Sequence, residues 1–200
     1  RMLYKLIEVF KILNLSYWAD CGTLLRAVRY SKILPWDEDC DLGILKKDED
    51  LLINNVELFK QHNLRIQKNK STKEYWQIDT LYNDVGPIDP DLHIDIFLFI
   101  EINDKLVNAD YRFQNPDFEI GHCNLFYLTD ELFPLTTLPF YEIDIPVPNK
   151  YDQVLKRSIG NDYLYNCLIK KYINETDIKL LHCNLDNKFN NKYEILFTNS

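Results

Sequence analysis

Glycine is scarce in this 200-residue chain, with five in all, and that excludes a Walker or dinucleotide phosphate loop, which needs several in one short turn. The five cysteines include no C-x-x-C pair, so neither a zinc ribbon nor a disulfide framework is written here, and a reducing compartment is the simpler expectation. No apolar run reaches the roughly 20 residues of a membrane span. The first thirteen residues carry charges inside an amphipathic pattern, unlike a signal peptide, so a soluble, cytoplasmic protein without a span is expected. Basic residues are outnumbered, 23 Lys and Arg against 31 Asp and Glu, for a net charge of −8. Such a surface repels polyanions, so nucleic acid is not an expected partner. An acidic protein that handles a phosphorylated small molecule needs a local positive source, which a divalent metal can supply.

His122-Cys123 and His182-Cys183 could in principle supply four metal ligands. Neighbours on a strand point to opposite faces, however, so both pairs read as ordinary residues. Three glycosylation sequons, at Asn14, Asn69 and Asn174, are expected by chance in a chain this rich in Asn and do not establish secretion.

What is present is the pattern of a mixed α/β (α+β) domain, a β-sheet flanked by helices. Leu3, Leu6, Ile7, Phe10 and Leu13 recur at helical spacing, with Lys5, Glu8 and Lys11 opposite. Residues 14–20 read as a short strand, after which Gly22 allows a tight turn and Thr23 is a candidate cap for a helix through Val28. Residues 39–45 alternate acidic and apolar like a strand, and Asp48 can cap one helix running to His62-Asn63. Residues 64–67 and 75–82 read as strands, 83–91 as a Gly/Pro loop, and 93–102 as the strongest strand of all. Short strands and loops follow to 148, then a helix over 151–164 interrupted near Gly160. Residues 1–183 thus form one expected domain, and 184–200 a polar Asn/Lys-rich tail.

The acidic strand carries the chemistry. Asp39 and Asp41 lie two residues apart and face the same side, where two carboxylates repel unless a cation lies between them or one keeps a proton. Asp37 shares the parity but lies nearer the turn. Two readings stand at this point, a metal site and a charged strand edge; the core-type neighbours Ile33, Leu34, Trp36, Leu42, Ile44 and Leu45 weigh against the second. The apolar strand 93–99 carries a lone acid, Asp95, which is costly to bury unless paired or metal-bound. If that strand lies beside the acidic one, Asp95 joins the same site and the three oxygen donors suit Mg²⁺ or Mn²⁺. Alternatively a base such as Arg29 answers Asp95 in a structural ion pair.

Trp18-Ala19-Asp20-Cys21-Gly22-Thr23-Leu24-Leu25-Arg26-Ala27-Val28-Arg29, followed by Ile33-Leu34-Pro35-Trp36-Asp37-Glu38-Asp39-Cys40-Asp41, resembles the signature of the LicD family, which includes bacterial phosphocholine transferases and the animal fukutins. Ile94-Asp95-Ile96 is similar to the family's later hydrophobic-Asp-hydrophobic strand, and weaker echoes run to Tyr163. The resemblance implies a nucleotidyltransferase fold in which Gly22 and Thr23 open a helix near the donor phosphates. Asp39 and Asp41 would then carry the metal, and Asp95 would serve as third ligand or as base for the acceptor hydroxyl. Arg29 would meet phosphate through its guanidinium fork, unless it is merely a charge on the helix surface. Arg26 stands where the family usually has Gly, so it either touches the donor or narrows the pocket.

The implied reaction is transfer of a phospho-alcohol, such as phosphocholine or ribitol phosphate, from a CDP-linked donor to a glycan hydroxyl. Two alternatives stay open: transfer of NMP from an NTP, and a non-catalytic binding relative. Animal members of the family work in the Golgi lumen, which makes a secretory location the competing address.

Overall fold

In the computed structural model, residues 1–33, 39–69, 75–81, 93–110 and 126–164 are described, together with the backbone of 166–174 and 177–184. Its centre is the strand the sequence marks most strongly, β5 (His93–Ile102), in which residues 94–99 are all buried. A strand buried along both faces must be covered on both, and the order of the sheet provides for that. From one edge it runs β1 (Tyr17–Ala19), β2 (Asp39–Leu45), β5, β4 (Trp76–Thr80), β3 (Leu64–Lys68). Only β2 and β5 run parallel in this sheet; the other described pairings are antiparallel. Ten residues let β5 share its far edge, with β4 pairing residues 94–96 and β6 (Lys105–Asn108) pairing 99–102, and β7 (Phe126–Leu128) then adding to β6.

Alternation divides the chemistry between the two faces. Cys40, Leu42 and Ile44 on β2 and Ile94, Ile96 and Leu98 on β5 share one face and are all buried in the core. The core is completed by α1 (Met2–Ile12), whose Leu6 and Phe10 are fully buried, and by α3 (Glu49–Ile53) and α4 (Val56–Gln61) through Leu52 and Phe59. The opposite face carries Asp39, Asp41 and Gly43 beside His93, Asp95 and Phe97. Gly43 is required there: a Cβ would lie 2.4 Å from Cε2 of the fully buried Trp18, its partner on β1. Helix α2 (Cys21–Tyr30) leaves the end of β1 and leans on β2 and on β8 (Thr136–Phe140), which forms a hairpin with β9 (Ile143–Val147). A short α5 (Thr129–Leu132) is tied to α6 (Tyr151–Ser158) by Arg157, whose two guanidinium nitrogens reach Glu131 at 2.7 and 2.8 Å. Strands β10 (Asn166–Asn174) and β11 (Asp177–Asn184) pair with each other.

Several local expectations are corrected. Asp20, not Thr23, caps α2, accepting from the Cys21 amide at 2.8 Å, so the helix begins three residues earlier than Thr23 would allow. The single helix expected after Asp48 is two, because the Asn55 side chain donates to the Leu51 carbonyl at 2.8 Å and takes the acceptor that its own amide would use. The last helix stops at Ser158, ahead of Gly160 at φ +127°. Residues 129–132, inside a stretch expected as short strands and loops, form α5. Cys21 is disulfide-bonded although no spacing announced a bridge, since pairing follows proximity in space. Pro35, Trp36, Asp37, the loop 83–91, His122-Cys123 and the tail beyond 184 lie outside the described residues. Among the described residues no helix is long and apolar enough to cross a membrane.

Candidate active site

Asp41 and Asp95 are register partners across the parallel β2–β5 pair, so their carboxylates leave the same face on strands about 4.8 Å apart. Both are nearly buried, at 7% and 8% exposure. Asp39, two residues earlier on β2, shares the face but lies at the rim, with 43% of its side chain exposed. Burial, then Asp39, with Asp20 and Asp95 adding, pushes the Asp41 carboxyl well above the ordinary carboxylate range, and Arg26 pulls the other way. Asp95 Oδ1 is buried with no hydrogen-bond partner among the described residues, although His93 Nε2 stands 3.5 Å away. Gln77 on β4 is the register partner of Asp95 on its other side, and extends the polar row.

The first turn of α2 holds this row in place from the β1 side. The amide and carbonyl of a strand residue point the same way, so both of Asp41's face the edge where β1 ends. The Asp20 amide donates to the Asp41 carbonyl at 3.0 Å, continuing the ladder one residue past Ala19. Among the described residues the Asp41 amide has no strand partner beyond that point, and it donates to Thr23 Oγ1 at 2.7 Å. Thr23 is fully buried, so its hydroxyl is committed to aligning Asp41. Asp20 is fixed in turn: its carboxylate caps Cys21 and accepts from the Tyr127 hydroxyl.

Arg26 closes the rim. Long side chains on a helix lean back toward its N-terminus, so a residue at i+4 covers the first turn. Its guanidinium lies over Gly22, where a Cβ would come within 2.9 Å of Nη2. Nη2 reaches Asp39 Oδ1 and Nη1 the Asp39 carbonyl, both at 3.4 Å. Arg29 instead donates to the carbonyl of Tyr163, tying α2 to the turn after α6.

The structure therefore brings Asp41, Asp95 and Asp39 to one face, with Gly22 and Arg26 above them and Thr23 beneath. Carboxylate oxygens are the donors a hard divalent cation takes, and the unpartnered Asp95 oxygen beside a carboxyl held up by burial fits such an ion. Among the described residues no three acidic, His or Cys side chains close into a finished cage, and the rim acid, Asp39, is engaged by Arg26. Local reading missed Asp20 and Tyr127. Asp20 could have been found, since an Asp ahead of a helix is a favoured cap; Tyr127, 107 residues away, left no local signal.

The chain is similar to several known proteins. Residues 14–150 match the family described as LicD/FKTN/FKRP, nucleotidyltransferase domain. An uncharacterised protein of Rickettsia typhi is 35% identical over 135 residues, 68% of this chain and 37% of its own. Ribitol 5-phosphate transferase FKRP of Mus musculus is 24% identical over 168 residues, 80% of this chain and 31% of its own. The chain thus spans less than half the length of the curated relatives it matches. Among solved structures, the lincomycin-bound lincosamide antibiotic adenylyltransferase LnuA superposes with a TM-score of 0.47 and 15% identity, covering 82% of this chain and 92% of that one.

Proposed function

The chain belongs to the LicD/FKTN/FKRP nucleotidyltransferase family, and on that premise we propose that it transfers a phospho-alcohol from a CDP-linked donor to a glycan hydroxyl. Phosphocholine, ribitol phosphate and close analogues are the candidate groups. The observation that carries the reading is the register pairing of Asp41 with Asp95 on the one parallel pair among the described strands of the sheet. Two buried acids side by side are expensive to keep without a cation, so their placement argues for a charge-handling task rather than for stability.

In the proposed reaction the acceptor hydroxyl attacks the phosphorus that bears the alcohol, the bond from that phosphorus to the bridging oxygen breaks, and CMP leaves. Asp95 takes the hydroxyl proton, or orients the hydroxyl that loses it to water. Asp41, Asp95 and Asp39 would hold Mg²⁺ or Mn²⁺, which would supply positive charge to a site that otherwise offers mostly carboxylates to a phosphorylated donor. Thr23 and Asp20 fix the backbone of Asp41, so the acid is positioned before substrate arrives. Arg26, over Gly22, stands where the donor phosphates are expected.

Product analysis tests this directly. The protein is incubated with CDP-choline, CDP-ribitol, CDP-glycerol or ATP, with Mn²⁺ and candidate glycans. CMP release from a CDP-linked donor, lost in Asp95→Asn, supports the reading. Pyrophosphate release from ATP with no CMP from any donor replaces it with nucleotidyl transfer.

A further inference from the structure

Arg26 is a cation set into a site otherwise built of acids. Only 13% of its side chain is exposed, and a charge so enclosed needs a partner. Asp39, the one acid of the three that reaches the rim, is one such partner, and both contacts to it are 3.4 Å, long beside the 2.7–2.9 Å of a well-formed charged pair. Its charge is also felt at Asp41, where it opposes the effects of burial and of Asp39. Gly22 makes the placement possible, because any side chain there would displace the guanidinium from the helix's first turn. The same fork therefore lies against a metal-type acid on one side and a helix N-terminus on the other.

We propose that Arg26 is a counter-ion gate that neutralises Asp39 while the site is empty and releases it when a donor diphosphate engages the guanidinium. This rests on the reading of the site as a cation-and-phosphate centre and adds its order of assembly. The loose 3.4 Å contacts are easily exchanged for two short bonds to phosphate oxygens, which a planar fork makes best. Once freed, Asp39 joins Asp41 and Asp95 as an oxygen donor. Cation and diphosphate are then coupled through one side chain, and the cation alone competes with Arg26 for the site. Even at the dielectric of water, a unit positive charge about 6 Å from a divalent ion weakens its binding about tenfold.

Calorimetry of Mn²⁺ alone, and of CDP in EDTA, on wild type, Arg26→Gln and Arg26→Lys separates the possibilities. With the gate, Arg26→Gln binds Mn²⁺ about tenfold more tightly than wild type and binds metal-free CDP about tenfold more weakly. Arg26→Lys keeps the charge and loses the fork, so it matches wild type for Mn²⁺ and resembles Arg26→Gln for CDP; circular dichroism shows that each variant is folded. Wild type binding Mn²⁺ with Arg26→Gln no tighter overturns the gate and leaves the site reading intact. Wild type binding no Mn²⁺, with or without CDP, overturns both.

Discussion

Replacing Thr23 by Val removes a single oxygen and keeps the shape of the side chain. That oxygen accepts the Asp41 amide at 2.7 Å in a fully buried setting, where β1 has ended and no described strand supplies an alternative acceptor. A buried donor left unmet costs about 1–3 kcal/mol. For a chain of this size each kcal/mol moves the melting temperature by roughly 2–4 °C, so a loss of about 2 kcal/mol lowers it by roughly 4–8 °C. Thr23→Ser keeps the oxygen and loses one buried methyl, which costs about 1 kcal/mol. Urea unfolding of the three proteins, with hydrogen exchange at the Asp41 amide, measures both parts. The variant with Val should lose protection at that amide and the variant with Ser should keep it. If Thr23→Val unfolds within about 0.5 kcal/mol of wild type, with the amide still protected, Thr23 does not hold the acidic strand and the account of its role is wrong.

Gly43→Ala forces a Cβ to within 2.4 Å of Trp18, whose ring is wedged against Phe99, Tyr127 and Phe133 at centroid distances of 5.3, 5.9 and 6.3 Å and cannot retreat. A destabilisation of about 1–3 kcal/mol or more is expected in urea unfolding, and an unchanged midpoint contradicts the packing described. Glu49 accepts from Lys46, Lys68 and Trp76, pinning α3 to the β3–β4 hairpin. Burial alone would raise its carboxyl, yet those three bonds hold it at about 2, below its unfolded value of 4.5. Its contribution is therefore full above pH 4.5 and fades as the pH falls toward about 2. Glu49→Gln should cost about 1–2 kcal/mol at pH 7 and converge with wild type near pH 2; a gap that persists into acid refutes the assignment.

The elements with one dominant signal were legible in the sequence. The amphipathic repeat of Leu3, Leu6, Ile7 and Phe10 yields α1, and the apolar run from His93 yields β5 with the bounds expected. The shared face of Asp39 and Asp41 follows from strand alternation alone. The parallel pairing that sets Asp95 beside Asp41 was a condition the sequence could state but not decide, because register depends on the whole sheet. Side-chain competition defeated the local reading elsewhere. Asn55 takes a carbonyl and splits a helix, and Thr23, expected at a cap near phosphate, turns inward to a backbone amide. Arg29, expected either to meet phosphate or to be a charge on the helix surface, donates to the Tyr163 carbonyl, a partner 134 residues away that no window along the chain contains.

The central claim is that Asp41 and Asp95 together hold a divalent cation for the phosphates of a CDP-linked donor. Calorimetric titration of CDP into wild type and Asp41→Asn/Asp95→Asn, each with and without Mn²⁺, tests it most directly. The account predicts that Mn²⁺ tightens CDP binding to wild type at least about tenfold and does nothing for the double variant, which stays folded because it loses only two buried charges. Equal enhancement by Mn²⁺ in both proteins would contradict it.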